Sequence, residues 1–155
     1  MTLTVETLDA QSMLRWDDYV NRADAATFFH RSGWKTVLER AFGHPTYFLY
    51  AQENSEIVGI LPLAQVKSVL FGNNLSSLPF CVYGGIVADN EQAAQALRQE
   101  ACRLAESLRV GALELRNREA SDANWPVKEL YYTFRKAIDP AEEVNLKAIP
   151  NRQRA

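Results

Sequence analysis

Residues 90–116 read NEQAAQALRQEACRLAESLRVGALELR. Apolar residues recur there at three- and four-residue steps, which predicts an amphipathic helix from about residue 90 to residue 109. The residues of this apolar stripe are Ala94, Leu97, Ala101, Leu104 and Leu108. Gly111 ends the helix, and the residues 112–116 that follow are typical of a strand. We therefore expect the helix to connect two parallel neighbours in one sheet.

Two shorter helices are expected closer to the start of the chain. The first begins near Asp9 or Ser12, either of which can cap it. Its apolar face consists of Met13, Trp16, Tyr19 and Val20. The second helix begins near Ser32 and ends at Gly43. Its expected inner face consists of Trp34, Val37, Leu38 and Ala41.

Further segments have strand character. They are 2–8, 46–52, 57–66, 78–87 and 130–138. Residues 53–56 form a polar connection of hairpin length, and 71–77 concentrates turn residues. Pro62 predicts an edge or a bulge within its strand, because proline has no backbone N–H to donate. The adjacent Gly84 and Gly85 indicate a bulge, or a place where another backbone or a ligand comes close.

The resulting order, β-α-α-β-β-β-α-β-β, predicts a mixed α/β (α+β) fold whose second to fourth strands are contiguous and antiparallel. The 155 residues fit one domain, with 47% hydrophobic and 23% charged residues, which is typical of a globular protein. We expect the domain to span 1–138. Residues 139–155, with Lys147, Arg152 and Arg154, form either a basic tail or the start of a second domain.

Several classes of function are disfavoured by composition and spacing. The formal net charge of −2 provides no overall attraction to nucleic acid. No apolar run approaches the ~20 residues of a membrane span, so we expect a soluble cytoplasmic protein. His30 and His44 lie in no metal-binding pattern, and Cys81 and Cys102 are expected to be reduced thiols of the core, so no metal site is predicted. No G-x-S-x-G elbow is present.

Positive and polar residues at two places could meet an anionic ligand. Arg31 and Lys35 begin the second helix, where free N–H groups are available, although a solvated helix start is the favoured explanation of both residues. Tyr83 and Asp89 flank the glycine pair. Asp89 is the weak candidate for a catalytic base, but capping of the long helix is its more natural role.

Five stretches, taken in order, resemble the N-terminal half of FemAB-related proteins, in the branch associated with PEP-CTERM and exosortase exopolysaccharide loci. They are Phe29-His-Arg-Ser-Gly-Trp-Lys, Phe42-Gly-His, Ile57-Val-Gly-Ile-Leu-Pro-Leu, Leu75-Ser-Ser-Leu-Pro-Phe and Tyr83-Gly-Gly. The resemblance covers about 27–155, including the closing Ile149-Pro-Asn-Arg-Gln-Arg.

This resemblance implies a GNAT-like acyl-CoA N-acyltransferase fold, present in two tandem copies in the FemAB group. Characterised members transfer an amino acid from aminoacyl-tRNA to the peptide of a cell-wall precursor, which binds between the two copies. The residues that would face the precursor here are Ser32, Lys35, Tyr83, Gly84, Gly85 and Asp89. The implied partners are the precursor, aminoacyl-tRNA, and either a second GNAT-like domain in cis or a homodimer partner.

The chain departs from the family pattern in two ways. The Gln/Arg-x-x-Gly-x-Gly/Ala loop that holds the CoA pyrophosphate in ordinary GNAT enzymes is missing between Tyr83 and the long helix, so no cofactor is predicted. The second copy is also missing, so the resemblance implies that the chain is one part of a transferase that acts on a cell-wall or exopolysaccharide precursor. The alternatives are a noncatalytic binding or dimerisation module, and a free-standing acyl-CoA N-acetyltransferase.

Overall fold

The computed structural model describes residues 3–68, 72–118, 125–128, 134 and 136–150. The chain forms two compact units, 1–121 and 122–155. The domain boundary after residue 138 stays a prediction. The predicted last strand, 130–138, lies largely outside the described residues, and so do residues 151–155 of the predicted basic tail.

Six strands and four helices are described. The strands are β1 (Thr4–Thr7), β2 (Thr46–Glu53), β3 (Glu56–Ser68), β4 (Gly72–Ser77), β5 (Val87–Ala88) and β6 (Ala112–Glu114). The helices are α1 (Met13–Arg22), α2 (Gly33–Ala41), α3 (Glu91–Ser107) and α4 (Glu142–Lys147), with a 3-10 turn at Phe28–His30. Helix α4 belongs to the second unit.

The first unit is built on one sheet with the strand order β1-β2-β3-β4-β6, and β5 pairs with β3 beyond the end of β4. Neighbouring strands are antiparallel except for β4 and β6, which are parallel and are connected through α3. The mixed α/β fold class is therefore confirmed. The long helix does connect two parallel neighbours, but the first of them is β4 and not the predicted strand 78–87.

Apolar side chains fill both faces of the sheet. Alternation along β2 sends Phe48 and Tyr50 into one core, which contains residues of α1 and α2, and Leu49 and Ala51 into the other, which contains residues of α3. The α3 stripe is confirmed by the fully buried Leu97 and Ala101. Two layers of helix thus hold the central strands in a fixed position.

The described residues 72–86 differ from the prediction. Residues 72–77 form β4 rather than a turn, and 78–86 are irregular rather than a strand. The polar residues of β4 are tolerated because their side chains bind neighbouring elements. The Asn73 side-chain amide donates to the Leu108 and Arg109 carbonyls at 3.3 Å, and Ser77 Oγ accepts from the Arg116 N–H at 2.7 Å. Of the predicted strand 78–87, only Val87 lies in a strand, β5, and the strand that extends the sheet is β4.

Two smaller expectations need correction. Pro62 lies inside the sheet and not at an edge. On one side of β3, the residues before Pro62 pair with β5 and the residues after it pair with β4, so Pro62 lies between the two paired stretches. Its carbonyl accepts from the Leu78 N–H at 3.2 Å, so the missing N–H faces the gap between these two strands. On α2, Leu38 is fully buried and Trp34 is half-buried, but Val37 and Ala41 are exposed. The short helix therefore packs inward mainly through Trp34 and Leu38, which lie four residues apart on the same face.

Both cysteines are free, with Cys81 buried and Cys102 half-buried. Within the described part of the chain, no helix combines the length and the apolar character that crossing a bilayer requires.

Candidate ligand-binding site

A cavity of about 440 Å³ opens where β5 ends and α3 begins. This volume lies within the roughly 300–1,000 Å³ of small-molecule pockets. One wall is formed by Asn90, Glu91 and Arg98 of the α3 segment, and the residues 116–118 that follow β6 form another. The loop before β5 contributes Tyr83 and Gly85, and His30 closes the cavity from the 3-10 turn. All of these residues belong to the first unit.

Positive charge dominates the described lining of this cavity. Three of the lining residues are arginines, whereas Glu91 is the one that carries a carboxylate. The Arg98 side chain is only 11% exposed, and its Nη1 lies 3.8 Å from Oε1 of Glu91, whose side chain is 79% exposed. Because the described lining holds three guanidinium groups and one carboxylate, the cavity favours an anionic group.

The other two arginines are positioned by the loop that precedes β5. Nη1 of Arg116 donates to the Cys81 carbonyl at 2.7 Å, and its Nε donates to Glu114 at 3.1 Å. The Arg118 guanidinium lies 6.0 Å from the centre of the Tyr83 ring, within the range of a cation–π contact. Guanidinium groups therefore approach the cavity from α3 and from the segment after β6.

The glycine pair allows this loop to approach the segment after β6 closely. The N–H groups of Gly84 and Gly85 donate to the Arg116 carbonyl at 3.3 and 3.1 Å. A Cβ on Gly85 would lie 2.1 Å from Asn117 Oδ1, and a Cβ on Gly84 would lie 2.5 Å from the Leu78 Cβ. Close approach of another backbone, which the sequence analysis offered as one interpretation, therefore explains Gly85, whereas Gly84 lies against the Leu78 side chain. Gly85 also lines the cavity.

His30 is a buried member of the cavity wall that the sequence analysis considered only as a metal ligand. Its ring spans two segments, since Nδ1 lies 3.1 Å from the Thr27 N–H nitrogen and Nε2 lies 3.1 Å from the Gly85 carbonyl oxygen. Burial lowers the pKa of His30, although its hydrogen bonds act in the opposite direction. The pattern Thr27-x-x-His30, a capping residue followed by a polar residue three positions later, is the sequence signal from which this local contact could have been predicted.

Ser32 and Lys35 lie outside the cavity lining. The backbone N–H and the hydroxyl of Ser32 both donate to the Asp17 carboxylate at 2.8 Å. Lys35 pairs with Glu39, and its Nζ donates to Thr46 Oγ1 at 2.7 Å. Both residues are thus engaged in contacts that hold α2 against its neighbours.

Asp89 also makes structural contacts. Its Oδ1 accepts from the Tyr19 hydroxyl at 2.9 Å, and its Oδ2 lies 3.5 Å from Nη1 of Arg22. Burial and the adjacent Asp89 raise the pKa of Tyr19. The expectation that Asp89 caps the long helix is wrong, because the Asn90 side chain accepts from the Ala93 N–H at 2.8 Å. Asn90 has the extended backbone that an N-cap requires, and Asp89 turns towards α1 instead.

No protein-family model matches the sequence, and no curated protein matches it. Solved structures do match. An aminoglycoside acetyltransferase from an uncultured soil metagenomic sample aligns with a TM-score of 0.57 at 16% identity, over 90% of this chain and 100% of that one. A GNAT family acetyltransferase from Staphylococcus aureus aligns with a TM-score of 0.56 at 12% identity, over 89% and 100%. The fold is that of the GNAT acetyltransferases.

A third GNAT neighbour is a ribosomal-protein-alanine N-acetyltransferase from Brucella melitensis, with a TM-score of 0.55 at 12% identity, over 85% of this chain and 100% of that one. At these identities the likeness concerns the fold. It extends over most of this chain and over the whole of each neighbour.

The GNAT fold implies acyl-CoA, whose pyrophosphate needs free backbone N–H groups and little negative charge. The start of α3 does not fit this requirement. The Asn90 side chain occupies the Ala93 N–H, and the carboxylates of Asp89 and Glu91 flank the cap. Beyond the paired residues of β4 and β6, the N–H groups of Gly84 and Gly85 donate to the Arg116 carbonyl, so these two N–H groups are not free for a pyrophosphate. The start of α3 is therefore not suited to bind the CoA pyrophosphate.

Proposed function

We propose that this chain is the N-terminal GNAT-like domain of a FemAB-related aminoacyl or acyl transferase, and that the arginine-lined cavity holds the anionic part of its precursor. The observation that carries the proposal is the convergence of Arg98, Arg116 and Arg118 on one cavity of about 440 Å³. The acceptor would be a cell-wall or exopolysaccharide precursor linked to a nucleotide or a lipid. In both cases the shared group is a diphosphate, which guanidinium forks bind well.

The residues singled out from the sequence fit this proposal to different degrees. Tyr83 and Gly85 line the cavity, and Gly84 shapes the loop that contains them. Ser32 and Lys35 would act only if the precursor extended from the cavity to the start of α2. The second wall of the cleft would come from another GNAT-like domain or from a second copy of this chain.

The chemistry would be the attack of an acceptor amine on an activated acyl group. The contribution of this domain is positioning, because fixed guanidinium groups and a rigid wall orient the precursor before the reaction. Asp89 would act as a base only after giving up its contacts with Tyr19 and Arg22. We therefore assign this domain a binding role and expect the reacting groups to meet at its boundary with the second wall.

Titration calorimetry with UDP-N-acetylglucosamine tests the proposal, with farnesyl diphosphate as the lipid-linked arm. The Arg98→Ala variant should weaken binding of the preferred diphosphate about tenfold or more, since a charged hydrogen bond contributes roughly 1.5–3 kcal/mol. Arg103→Ala is the matched control, because Arg103 lies on the same helix with its side chain 70% exposed and paired with Glu100. Unchanged affinity in Arg98→Ala, or equal losses in both variants, would reject the cavity.

A third variant separates the cavity from the start of α2. The family resemblance predicts that Lys35→Ala weakens precursor binding with little effect on stability. If the cavity alone holds the probe, Lys35→Ala should bind it with the affinity of the unmodified protein. A loss in Lys35→Ala without a loss in Arg98→Ala would move the site to α2.

The solved acetyltransferases that share this fold favour a second candidate function, a free-standing acyl-CoA N-acetyltransferase. A ligand bound at 100 times its Kd stabilises the folded state by about 2.7 kcal/mol. Acetyl-CoA should therefore raise the melting temperature by several degrees if this candidate is right. A shift at saturating acetyl-CoA would support this candidate, and no shift at that concentration would reject it.

A further inference from the structure

Glu91 is the one residue of the described cavity lining that carries a carboxylate. It is the first residue of α3, and its Oε1 lies 3.8 Å from Nη1 of Arg98, which also lines the cavity. Seven residues separate the two, which is about 10.5 Å along a helix axis, so their side chains meet only because they extend along α3. A negative charge therefore lies beside one of the three cations that the proposed function uses.

The contact between Glu91 and Arg98 is an ion pair and not a hydrogen bond. An N–H···O hydrogen bond is about 2.7–3.2 Å long, and these two atoms are farther apart. The Arg98 side chain is almost buried, whereas that of Glu91 is exposed, so the carboxylate lies at the solvent-exposed rim of the cavity. An anion bound to Arg98 would therefore have Glu91 beside it.

The other titratable groups near the cavity are placed differently. Asp89 is engaged with α1 and lies outside the described lining. Glu114 pairs with Arg116 but also lies outside that lining. Burial lowers the pKa of His30, so its ring is uncharged at pH 7.5. Among the described residues, Glu91 is thus the carboxylate that an anion in the cavity meets.

Diphosphates differ in charge according to what is attached to them. A diphosphate substituted at both ends, as in a nucleotide sugar or a lipid diphosphate sugar, carries one negative charge on each phosphate. A diphosphate with a free end carries almost one further charge at pH 7.5, because the second pKa of a phosphate monoester is about 6. Charges within a Debye length of ~8 Å repel each other even in physiological salt. A carboxylate in the lining therefore disfavours the free end.

We propose that Glu91 is a specificity-determining residue which makes the cavity selective for a diphosphate substituted at both ends over one that ends in a free phosphate. The inference rests on the proposed function, because it takes the cavity as the diphosphate site and narrows the substrate class. Guanidinium groups alone would favour the ligand with the higher charge. Glu91 opposes this preference, so the intact precursor is favoured over the diphosphate that remains when its sugar is removed.

Titration calorimetry at pH 7.5 with uridine diphosphate and the methyl ester of its terminal phosphate isolates the charge, because these probes differ by one methyl group and one negative charge. Glu91→Gln should shift the ratio of the two dissociation constants about threefold to tenfold in favour of uridine diphosphate. This size is expected for a charge about 6 Å from the carboxylate at an effective dielectric constant of roughly 40–80. An unchanged ratio, or a shift in favour of the ester, would overturn the proposal.

Two further variants separate the charge of Glu91 from its place in the helix. Glu91→Asp keeps the charge and should keep the ratio of the unmodified protein. Glu106→Gln is the matched control, because it removes an exposed carboxylate from the same helix about 22 Å along the axis and should not change the ratio. A carboxylate that only stabilised the start of α3 would change the melting temperature and leave the ratio unchanged. Equal shifts in Glu91→Gln and Glu106→Gln would reject the role of Glu91.

Two outcomes distinguish a wrong role of Glu91 from a wrong binding site. If Arg98→Ala weakens the binding of UDP-N-acetylglucosamine while Glu91→Gln leaves the ratio unchanged, the cavity binds diphosphates and only the selectivity assigned to Glu91 is wrong. If no diphosphate binds to the unmodified protein or to Glu91→Gln, the proposed function and the role of Glu91 are both wrong.

Discussion

At the scale of single residues, the cavity depends on close contacts that only a glycine allows. Gly85 is the strictest case, since a side chain there would overlap both Oδ1 and the backbone of Asn117. Because Gly85 also accepts the hydrogen bond of His30, its position sets the wall of the cavity. A change at this residue should therefore affect stability and binding together.

The Gly85→Ala substitution should lower the free energy of unfolding by about 1–3 kcal/mol or more, because the added methyl group overpacks a closed contact. Gly33→Ala is the matched control. Nothing lies within 4 Å of a Cβ at Gly33, the first residue of α2, so alanine there should stabilise by about 0.5–1 kcal/mol. Urea denaturation of both variants provides the comparison. If Gly85→Ala is as stable as the unmodified protein, Asn117 moves aside without a cost in free energy.

At the scale of elements, α3 with its cap and the loop before β5 supply half of the described lining of the cavity. The helix is fixed at its start by the Asn90 cap and along its length by Leu97 and Ala101. The loop before β5 contains Leu78 and Phe80 with φ of 46° and 73°, the left-handed region that these residues rarely adopt. A rigid helix thus faces a loop that long-range contacts hold in place.

Removal of the α3 cap should be measurable on its own. Asn90→Ala should lower the free energy of unfolding by about 1 kcal/mol and the melting temperature by a few degrees, because the Ala93 N–H loses its acceptor. Asn90→Ser should keep most of the stability, since serine is also a good cap. Gln95→Ala on the exposed face of α3 controls for the substitution itself. Equal unfolding curves for the alanine and serine variants would show that the side-chain cap does not contribute.

At the scale of the whole molecule, buried titratable groups predict how stability depends on pH. His30 has a lowered pKa, so below its ordinary value of 6.5 the unfolded chain binds more protons and stability falls. Burial raises the pKa of the Cys81 thiol and of the Tyr19 hydroxyl. Stability should therefore also fall above the ordinary values of 9.0 for cysteine and 10.0 for tyrosine. We expect a maximum between these limits.

Chemical denaturation from pH 5 to pH 10 checks this profile. His30→Gln should remove part of the loss between pH 6.5 and pH 5 and leave the alkaline side unchanged. Glu39 offers an internal contrast, because its pKa is lowered and its stabilising effect is lost only below its ordinary value of 4.5. If His30→Gln loses as much stability below pH 6.5 as the unmodified protein does, groups other than His30 cause the loss at acid pH.

Local pattern was sufficient for the elements whose periodicity is complete within a few turns. The apolar stripe of α3, the β2–β3 hairpin and the short first helix all follow from the spacing of apolar residues and from turn chemistry. Local pattern did not predict the structure of residues 72–86. Asn73 and Ser77 can lie in a strand there because their side chains form hydrogen bonds with the end of α3 and with Arg116. Such partners lie 35 or more positions away and leave no local signal.

The sequence by itself therefore determined the mixed α/β architecture and the importance of the glycine pair. Only the tertiary structure decided which charges share one cavity, because Arg98 of α3 lines the same cavity as Arg116 and Arg118, a grouping that no spacing rule describes. The tertiary structure also places Ser32, Lys35 and Asp89 in structural contacts, and it places His30 against Gly85. The physical reason is range: helix and strand patterns arise from neighbours along the chain, whereas a binding site arises from side chains that meet only when the sheet and its helices have packed.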